Sequence, residues 1–328
     1  RPGQAASETS AHAWPCWLGS QQTGISQESA WTADWPAVGP PVLWRAEIGT
    51  GFSCVSIAAG RLFTMGRQGN DDAVYCFDAA NGDPLWTHTY ACALVDNLHE
   101  GGPAATPTVD ADRVFTFSRE AQLFCLDTAT GDIRWQKDLK QELGLAQPEW
   151  GFTCSPLIVG EKLVLDIGPV VALEKASGDL LWQTDRYEAG YGTPTLFRRG
   201  DEPLLAVLNN DGLLVVRDED GTRVAFSPWK TNYDTNSTTP IVAGDTIFIS
   251  TGYSKGCGLF RLHDDELEQI YANRNMRNHF KNSVLWDGHL YGFDGNSSRG
   301  RDVRLVCLDY TTGRSVWSER GYGCGSLM

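Results

Sequence analysis

Apolar and polar residues alternate in short runs along most of the chain, and turn residues separate these runs. Residues 61–65 and 113–117 are typical, because each is rich in aromatic and β-branched side chains and follows an Ala-Gly or Asp-Ala-Asp turn. Alternation with a period of two, punctuated by such turns, predicts β-strands. A helical pattern occurs only around residues 139–145, and it is short. The pattern therefore predicts an all-β protein.

A longer phrase also recurs. Residues 77–86 (FDAANGDPLW) and 126–135 (LDTATGDIRW) each contain an apolar–acidic pair, a turn closed by Gly and a strand that reaches Trp four residues later. The phrase returns at residues 173–182 and 308–317. Weaker copies have Ala225 after Gly221, and Tyr271 in a unit centred near residue 267. The six anchors, at 82, 131, 178, 221, about 267 and 313, lie 43 to 49 residues apart. Such a period is typical of propellers and repeat arrays.

Each repeat contains four short strands, which is the content of one propeller blade. We therefore predict a β-propeller of four-stranded blades, with six complete blades and orphan strands at the two ends. A β-sandwich and an open solenoid are the alternatives. The four strands per repeat and the lack of capping units favour the propeller, whose closure protects strand edges.

The two ends of the chain differ from the repeats. We predict that residues 1–40, which include the WPCWLG segment at 14–19, form a strap over the propeller domain of residues 41–328. Residues 41–45 resemble the end of a repeat, and residues 321–327 resemble the first strand of a seventh blade. This pattern predicts a propeller truncated at its C-terminus, with seven or eight blades in the full protein. A six-bladed ring with exchanged terminal strands is the alternative.

The Asp-x-x-x-Gly-x-x-x-Trp phrase resembles the repeat of the pyrroloquinoline-quinone (PQQ)-like β-propellers, over about residues 42–328. This family includes quinoprotein alcohol dehydrogenases and BamB-like assembly factors. The leader is similar to that of exported BamB-like proteins of planctomycete-type bacteria. The resemblance implies that the aromatic residue ending each phrase docks neighbouring blades, and that blades four and five, with Ala225 and Tyr271, are less firmly docked. The implied docking residues are Trp86, Trp135, Trp182, Tyr271 and Trp317.

Charge and composition restrict the partners. The formal net charge of −14 argues against binding to phosphate backbones or to anionic membrane surfaces. No apolar run approaches the roughly 20 residues that a membrane span requires. The chain begins at Arg1 without Met, which predicts removal of an N-terminal segment. Together with the family resemblance, this implies a periplasmic or otherwise exported protein.

Six of the nine cysteines recur at two repeat positions. Cys76, Cys125 and Cys307 precede the apolar–Asp pair, and we expect them to be small buried apolar residues. Three further cysteines are predicted to share a second position, on the innermost strand, where the other blades have different residues. This set comprises Cys54, Cys154 and Cys324, with Ala105, Gly192, Thr238 and Asn282 in the other blades.

The motifs with chemical potential are weak. Residues 252–256 match Gly-x-Ser-x-Gly, but strands on both sides predict a hairpin and not a nucleophile elbow. In quinoprotein alcohol dehydrogenases PQQ stacks on a disulfide between adjacent cysteines beside calcium, and no two cysteines are adjacent here. We therefore assign no catalytic, cofactor-binding or metal-binding residue and expect no cofactor. PQQ with calcium is the alternative.

The central funnel is the remaining candidate site. Eight inner-strand residues are predicted to line it: Ser53, Thr106, Thr153, Tyr191, Thr193, Ser237, Lys281 and Asn282. Arg67 and Arg119, at equivalent strand ends, are expected to be solvated charges. We predict a non-catalytic, exported scaffold that binds other proteins or extended peptides through loops and blade edges. The alternatives are a quinoprotein-type oxidoreductase and a module that binds carbohydrate or another small ligand at the funnel.

Overall fold

The computed structural model describes residues 13–29, 32, 34–96 and 99–328. Within these residues, 24 strands form six four-stranded antiparallel sheets. Every sheet has its strands in sequence order, so each consecutive group of four is one blade. The predicted all-β propeller fold with six four-stranded blades is confirmed.

The first three blades follow the strap directly. Blade 1 consists of β1 (Ser56–Ala58), β2 (Arg61–Gln68), β3 (Asp71–Asp78) and β4 (Pro84–Tyr90). Blade 2 consists of β5 (Thr108–Asp110), β6 (Arg113–Phe117), β7 (Gln122–Asp127) and β8 (Ile133–Asp138). Helix α1 (Leu139–Leu143) follows, at the predicted place, and Asp138 caps it. Blade 3 consists of β9 (Leu157–Val159), β10 (Lys162–Asp166), β11 (Val170–Glu174) and β12 (Leu180–Gln183).

The last three blades have the same order. Blade 4 consists of β13 (Thr195–Arg199), β14 (Glu202–Leu208), β15 (Gly212–Arg217) and β16 (Arg223–Pro228). Blade 5 consists of β17 (Ile241–Ala243), β18 (Thr246–Thr251), β19 (Gly256–His263) and β20 (Glu266–Asn273). Blade 6 consists of β21 (Val284–Trp286), β22 (His289–Asp294), β23 (Arg304–Asp309) and β24 (Ser315–Glu319), with a 3-10 segment at Ser297–Asp302.

The apolar core lies between blades. Phe63, Val74 and Cys76 of blade 1, for example, pack with Val114 and Leu126 of blade 2 in one buried cluster. The inner blades therefore bury both faces against their neighbours, which explains why their middle strands are apolar on both sides, and blade 1 packs its outer face on Trp44, Ala46 and Ile48. The cysteines at the first repeat position, Cys76, Cys125 and Cys307, are all buried in this way, as expected.

The recurring aromatic residue docks on the next blade. Trp86 of blade 1 donates its indole N–H to the carbonyl of Thr128 in blade 2, at 3.0 Å. Its ring lies against Gly131, where a Cβ atom would stand only 2.7 Å from the ring. Gly131 also has φ +77°, so both the turn and the ring exclude a side chain. The same arrangement joins Trp44 to Gly82, Trp135 to Gly178, Trp182 to Gly221 and Tyr271 to Gly313.

A β-bulge directs these rings. In every blade the pairing of the third and fourth strands shifts register beside the docking position, so that the fourth strand has one extra residue directly before it, as Arg134 before Trp135. Such a bulge bends the strand and turns its side chain. The shift recurs in all six sheets, including the one that carries Ala225.

The fifth blade corrects two expectations. Its turn lies at Asp264 and Asp265, between β19 and β20, and not near residue 267. Tyr271 is not a weak substitute, because its hydroxyl donates to the carbonyl of Tyr310, at 2.9 Å, as the indoles do elsewhere. The predicted hairpin at residues 252–256 is confirmed between β18 and β19.

The segments outside the blades form no ladder of strands. Residues 41–49 were expected to include an outer strand, and only the docking residue Trp44 matches, donating to the carbonyl of Ala79 at 3.1 Å. Residues 321–327 were expected to be a first strand, but they pair with no strand among the described residues. A strand requires a hydrogen-bonded neighbour along its length, and neither segment has one in the described chain.

Candidate functional site: an aromatic rim around the channel

Strand register defines which inner residues are equivalent. Ser56 pairs with Phe63, and Val284 pairs with Tyr291, so these first-strand residues mark the same position in blades 1 and 6. Counting back from that position gives two classes of inner residue, one buried between blades and one facing the channel. Six of the eight predicted funnel residues divide between these classes, whereas Ser53 and Lys281 lie three residues before the marker and belong to neither.

The first class, two residues before the marker, forms a belt between blades. The backbone N–H of Thr106 donates to Ser155 Oγ at 2.9 Å, and that of Ser155 donates to Thr193 Oγ1 at 3.1 Å. The belt continues from Thr193 to Thr239 Oγ1 and from Thr239 to Asn282 Oδ1. These side chains are buried. Thr106, Thr193 and Asn282 therefore use their polar atoms to join blades.

The same register corrects the second cysteine position. Cys54 lies two residues before the marker Ser56, whereas Cys154 lies three residues before Leu157. Successive residues of an extended strand point in opposite directions, so the two thiols are not equivalent. Cys154 is fully buried, whereas Cys54 is exposed although it shares the register position of the buried belt.

The second class, four residues before the marker, faces the mouth of the channel. It consists of Phe52, Ala104, Thr153, Tyr191, Ser237 and Phe280. Thr153 Oγ1 donates to the carbonyl of Tyr191 at 2.8 Å, and Ser237 Oγ donates to the carbonyl of His279. Phe52 and Phe280 are more than half exposed. The sequence alignment had Ser53 and Lys281 at this end, one residue away from the two phenylalanines.

Loop residues extend these side chains into an aromatic rim. One arc runs from Phe52 to His99 and on to Trp150, with ring centres 5.4 and 5.5 Å apart. The hydroxyl of Tyr191 interacts with the backbone of Trp150.

The second arc lies across the mouth. Tyr233 contacts Tyr253 at 4.8 Å, Tyr253 meets His279 edge-on at 4.6 Å, and His279 lies 3.6 Å from Phe280. We call these two arcs the rim. Its members are Phe52, His99, Trp150, Tyr191, Tyr233, Tyr253, His279 and Phe280. Residues 97 and 98, beside His99, lie outside the described residues.

Burial and nearby charges shift the pKa of three rim residues. Burial, followed by the charges of Glu149 and Asp234, raises the pKa of Tyr191 to about 12. Burial and the charges of Tyr233 and Glu149 also raise the pKa of Tyr253. Burial, assisted by Lys281, lowers the pKa of His279 to about 4, so its imidazole is neutral at physiological pH.

The cations near the rim are already engaged. Lys281 Nζ contacts Cys324 Sγ and lies 5.8 Å from the centre of the Phe293 ring. Arg67 pairs with Asp72 at 2.9 Å, and Arg119, only 3% exposed, donates to the carbonyl of Val95. The expectation that both arginines are solvated is wrong, because each reaches across the loop that joins blades 1 and 2.

The strap closes the other end of the channel. Trp14 exchanges two backbone hydrogen bonds with Ile57 of blade 1, and Pro15 accepts from Val109 of blade 2. On the far side Trp17 Nε1 donates to Thr239 Oγ1 at 2.9 Å, and Gln22 bonds to Pro194 and Leu196 of blade 4. Residues 14–22 therefore span the hub, and the rim surrounds the opposite opening.

The site offers aromatic faces, two free carboxylates and few cations. No group of three His, Cys, Asp or Glu side chains in the described part of the chain could hold a metal ion. The residues at the mouth therefore do not fit calcium with PQQ. The described part of the mouth lacks a cluster of carboxylates for calcium, and the chain has no adjacent cysteines on which PQQ could stack. The described residues also contain no helix with the length and apolar character of a membrane span.

The repeated blades define a PQQ-like β-propeller. The family model described as outer membrane protein assembly factor BamB matches residues 70–319, and the chain belongs to this family. A search of curated protein sequences finds no significant match.

Solved structures agree with this fold. BamB from Moraxella catarrhalis aligns with a TM-score of 0.63 and 15% identity, over 85% of this chain and 78% of that one. Quinohemoprotein alcohol dehydrogenase from Comamonas testosteroni aligns with a TM-score of 0.68 and 11% identity, over 97% of this chain and 68% of that one. At such identities the likeness shows the fold alone, and the same fold serves both an assembly factor and an oxidoreductase.

Proposed function

We propose that the protein is a non-catalytic, exported interaction module that binds partner proteins through the rim, in the manner suggested by BamB-like relatives. One observation carries this proposal: bulky aromatic side chains are exposed together around the open end of the channel. Phe52, Tyr233 and Phe280 are 53%, 62% and 56% exposed. Aromatic residues of this kind dominate protein interfaces, where they bury a large area at low entropic cost.

The chemistry of the hub supports the same function. The hydroxyl of Thr193 and the amide of Asn282, which sequence analysis assigned to ligand binding, are used between blades, and Thr106 contributes its backbone N–H there. Glu149 and Asp234 have no ion pair in the described residues, and they lie among the aromatic rings of the rim. An exported location accords with the family and with the strap, which resembles an exported leader.

Site-specific photo-cross-linking tests this function. A photoreactive side chain placed at Phe280 is expected to give discrete adducts when the protein is incubated with the exported fraction of its source. The matched position Trp286, 60% exposed at the other end of blade 6, is expected to give none. Equal adducts at both positions, or saturable absorption changes with PQQ and calcium accompanied by dye reduction, would contradict the proposal.

A further inference from the structure

The rim combines its exposed aromatic residues with two carboxylates, Glu149 and Asp234. Tyr191 and Tyr253 lie on different blades, and the same carboxylate, Glu149, acts on both. Asp234 adds to the field at Tyr191. Both carboxylates are exposed and belong to loops at this end of the channel. Negative charge from the loops at the mouth therefore acts on tyrosines of two neighbouring blades.

No lysine or arginine among the described residues forms an ion pair with Glu149 or Asp234, although the charge of Asp234 helps to raise the pKa of Lys230. Lys230, the nearest lysine along the chain to Asp234, pairs with Asp211 at 2.9 Å. Lys255 lies 4.5 Å over the ring of Trp229, and Arg277 pairs with Asp294 at 2.6 Å. Lys281 is turned to Cys324 and Phe293. The carboxylates of the rim are therefore available to an incoming positive charge.

Aromatic faces and free carboxylates together select one ligand chemistry. A lysine or arginine side chain is attracted to the face of Tyr, Trp or Phe and pairs with a carboxylate. The net charge of −14 steers such a ligand toward the protein. An acidic segment meets repulsion at the same surface, and a neutral one gains only the apolar contact.

We propose that the rim binds a lysine- or arginine-rich segment of a partner protein, whose cationic side chains lie on Phe280, Tyr233 and Phe52 while Glu149 and Asp234 pair with them. This inference rests on the proposed interaction function and names the chemistry of the partner. The strap closes the far end of the channel, so the segment binds across the opening and does not thread through it.

Calorimetric titration with three synthetic peptides tests the proposal. The first alternates lysine with serine, the second replaces each lysine by acetyl-lysine, and the third replaces it by glutamate. We expect the lysine peptide to bind at least about tenfold more tightly than the acetylated one, since the charge is what the aromatic faces and carboxylates recognise. The preference is expected to shrink as salt is raised, because exposed charges are screened.

Matched variants locate the binding surface. Glu149→Gln and Asp234→Asn are each expected to weaken the lysine peptide by about two- to fivefold, and Phe280→Ala and Tyr233→Ala by about three- to tenfold. The controls are Glu219→Gln and Trp286→Ala, which remove an exposed carboxylate and an exposed ring at the opposite end. They are expected to leave affinity within about twofold.

The proposal is overturned by equal affinity for the three peptides, or by equal losses in rim and control variants. Its failure is separable from that of the proposed function. If a partner cross-links at Phe280 through an acidic or neutral segment, the interaction function is supported and the proposal of a basic segment is contradicted. The absence of both cross-linking and peptide binding contradicts the interaction function as well as the basic segment.

Discussion

The junction between blades 3 and 4 and the junction between blades 4 and 5 perform the same task with different residues. In the first, Trp182 lies on Gly221 and donates to the carbonyl of Asp218 at 3.0 Å. In the second, Ala225 occupies the docking position and the facing turn, Asp264 and Asp265, has no glycine. In these two junctions, the turn between the third and fourth strands has a glycine only where an aromatic ring from the preceding blade packs on that turn.

A second tryptophan stabilises the junction that lacks the ring. Trp229, only 5% exposed, follows the fourth strand of blade 4 and donates to Thr251 Oγ1 of blade 5 at 3.1 Å. Its ring meets Phe260 edge-on with centres 6.0 Å apart. Arg199 of blade 4 also donates to the carbonyl of Asp264. The expectation of looser docking in blades four and five considered only the docking position. At this junction the contacts between blades are made by Trp229 and Arg199 instead.

The largest expected effect comes from removing a docked ring. Trp182→Ala is expected to lower the free energy of unfolding by about 3 to 5 kcal/mol, because it leaves a cavity between two blades and removes the donor to Asp218. Trp317→Ala is the control, since Trp317 is 39% exposed and no described residue accepts its indole N–H. Urea denaturation is expected to show a loss below about 1 kcal/mol for this control. Similar losses in the two variants would contradict the docking role.

Replacement of Trp229 tests whether it substitutes for the missing ring. Trp229→Ala is expected to cost about 3 kcal/mol, comparable to a docked tryptophan. Trp229→Phe is expected to recover about half of that loss, because it retains apolar contact with Phe260 and leaves Thr251 without its donor. A cost below about 1 kcal/mol for the alanine variant would show that blades 4 and 5 are held by other contacts.

Glycine substitution separates backbone strain from ring contact. Gly221→Ala is expected to cost about 2 to 3 kcal/mol, because its Cβ would lie 2.6 Å from the Trp182 ring in a backbone with φ +73°. Gly244→Ala has a similar positive φ with nothing near its Cβ and is expected to cost only about 1 kcal/mol. Thermal denaturation measures both. Equal costs would mean that the turn alone, without the ring, requires glycine.

The smallest effect depends on pH and lies at the junction of blades 3 and 4. Burial raises the pKa of Asp166 to about 7, although the N–H groups of Gly168 and Gly190 oppose the shift. The unfolded chain releases this proton near pH 4 and the folded chain near pH 7. The stability that Asp166 provides is therefore complete below about pH 4 and is lost as pH rises to about 7.

Asp166→Asn removes this dependence. The variant is expected to be more stable than the unmodified protein at pH 8, by on the order of 1 to 2 kcal/mol, and to lose the advantage near pH 4. The junction of blades 4 and 5 contains the buried amide Asn236 in the loop before β17, which does not titrate. Denaturation curves at several pH values measure the difference. A constant difference between the two proteins across this range would contradict the assigned pKa.

The fold was predictable because the phrase that builds a blade is local. Alternating residues, the acidic turn and the Gly–Trp spacing determine strands and turns within ten residues. The pattern was less informative at the hub. A one-residue error in aligning Cys54 with Cys154 reverses the direction of the side chain, so Ser53 and Lys281 were assigned in place of Phe52 and Phe280. Register there depends on hydrogen bonds to neighbouring strands, which one sequence does not display.

The sequence by itself determined six blades, their strand order and the rings that join most of them, because those features repeat and rest on short-range spacing. Only the tertiary structure decided where Trp229 replaces a docking ring, that the strap closes one end of the channel, and that aromatic residues from separate loops form a rim at the other. These arrangements bring together residues far apart in the chain, such as Trp17 and Thr239. Contacts of that kind do not repeat, so no periodicity in the sequence reveals them.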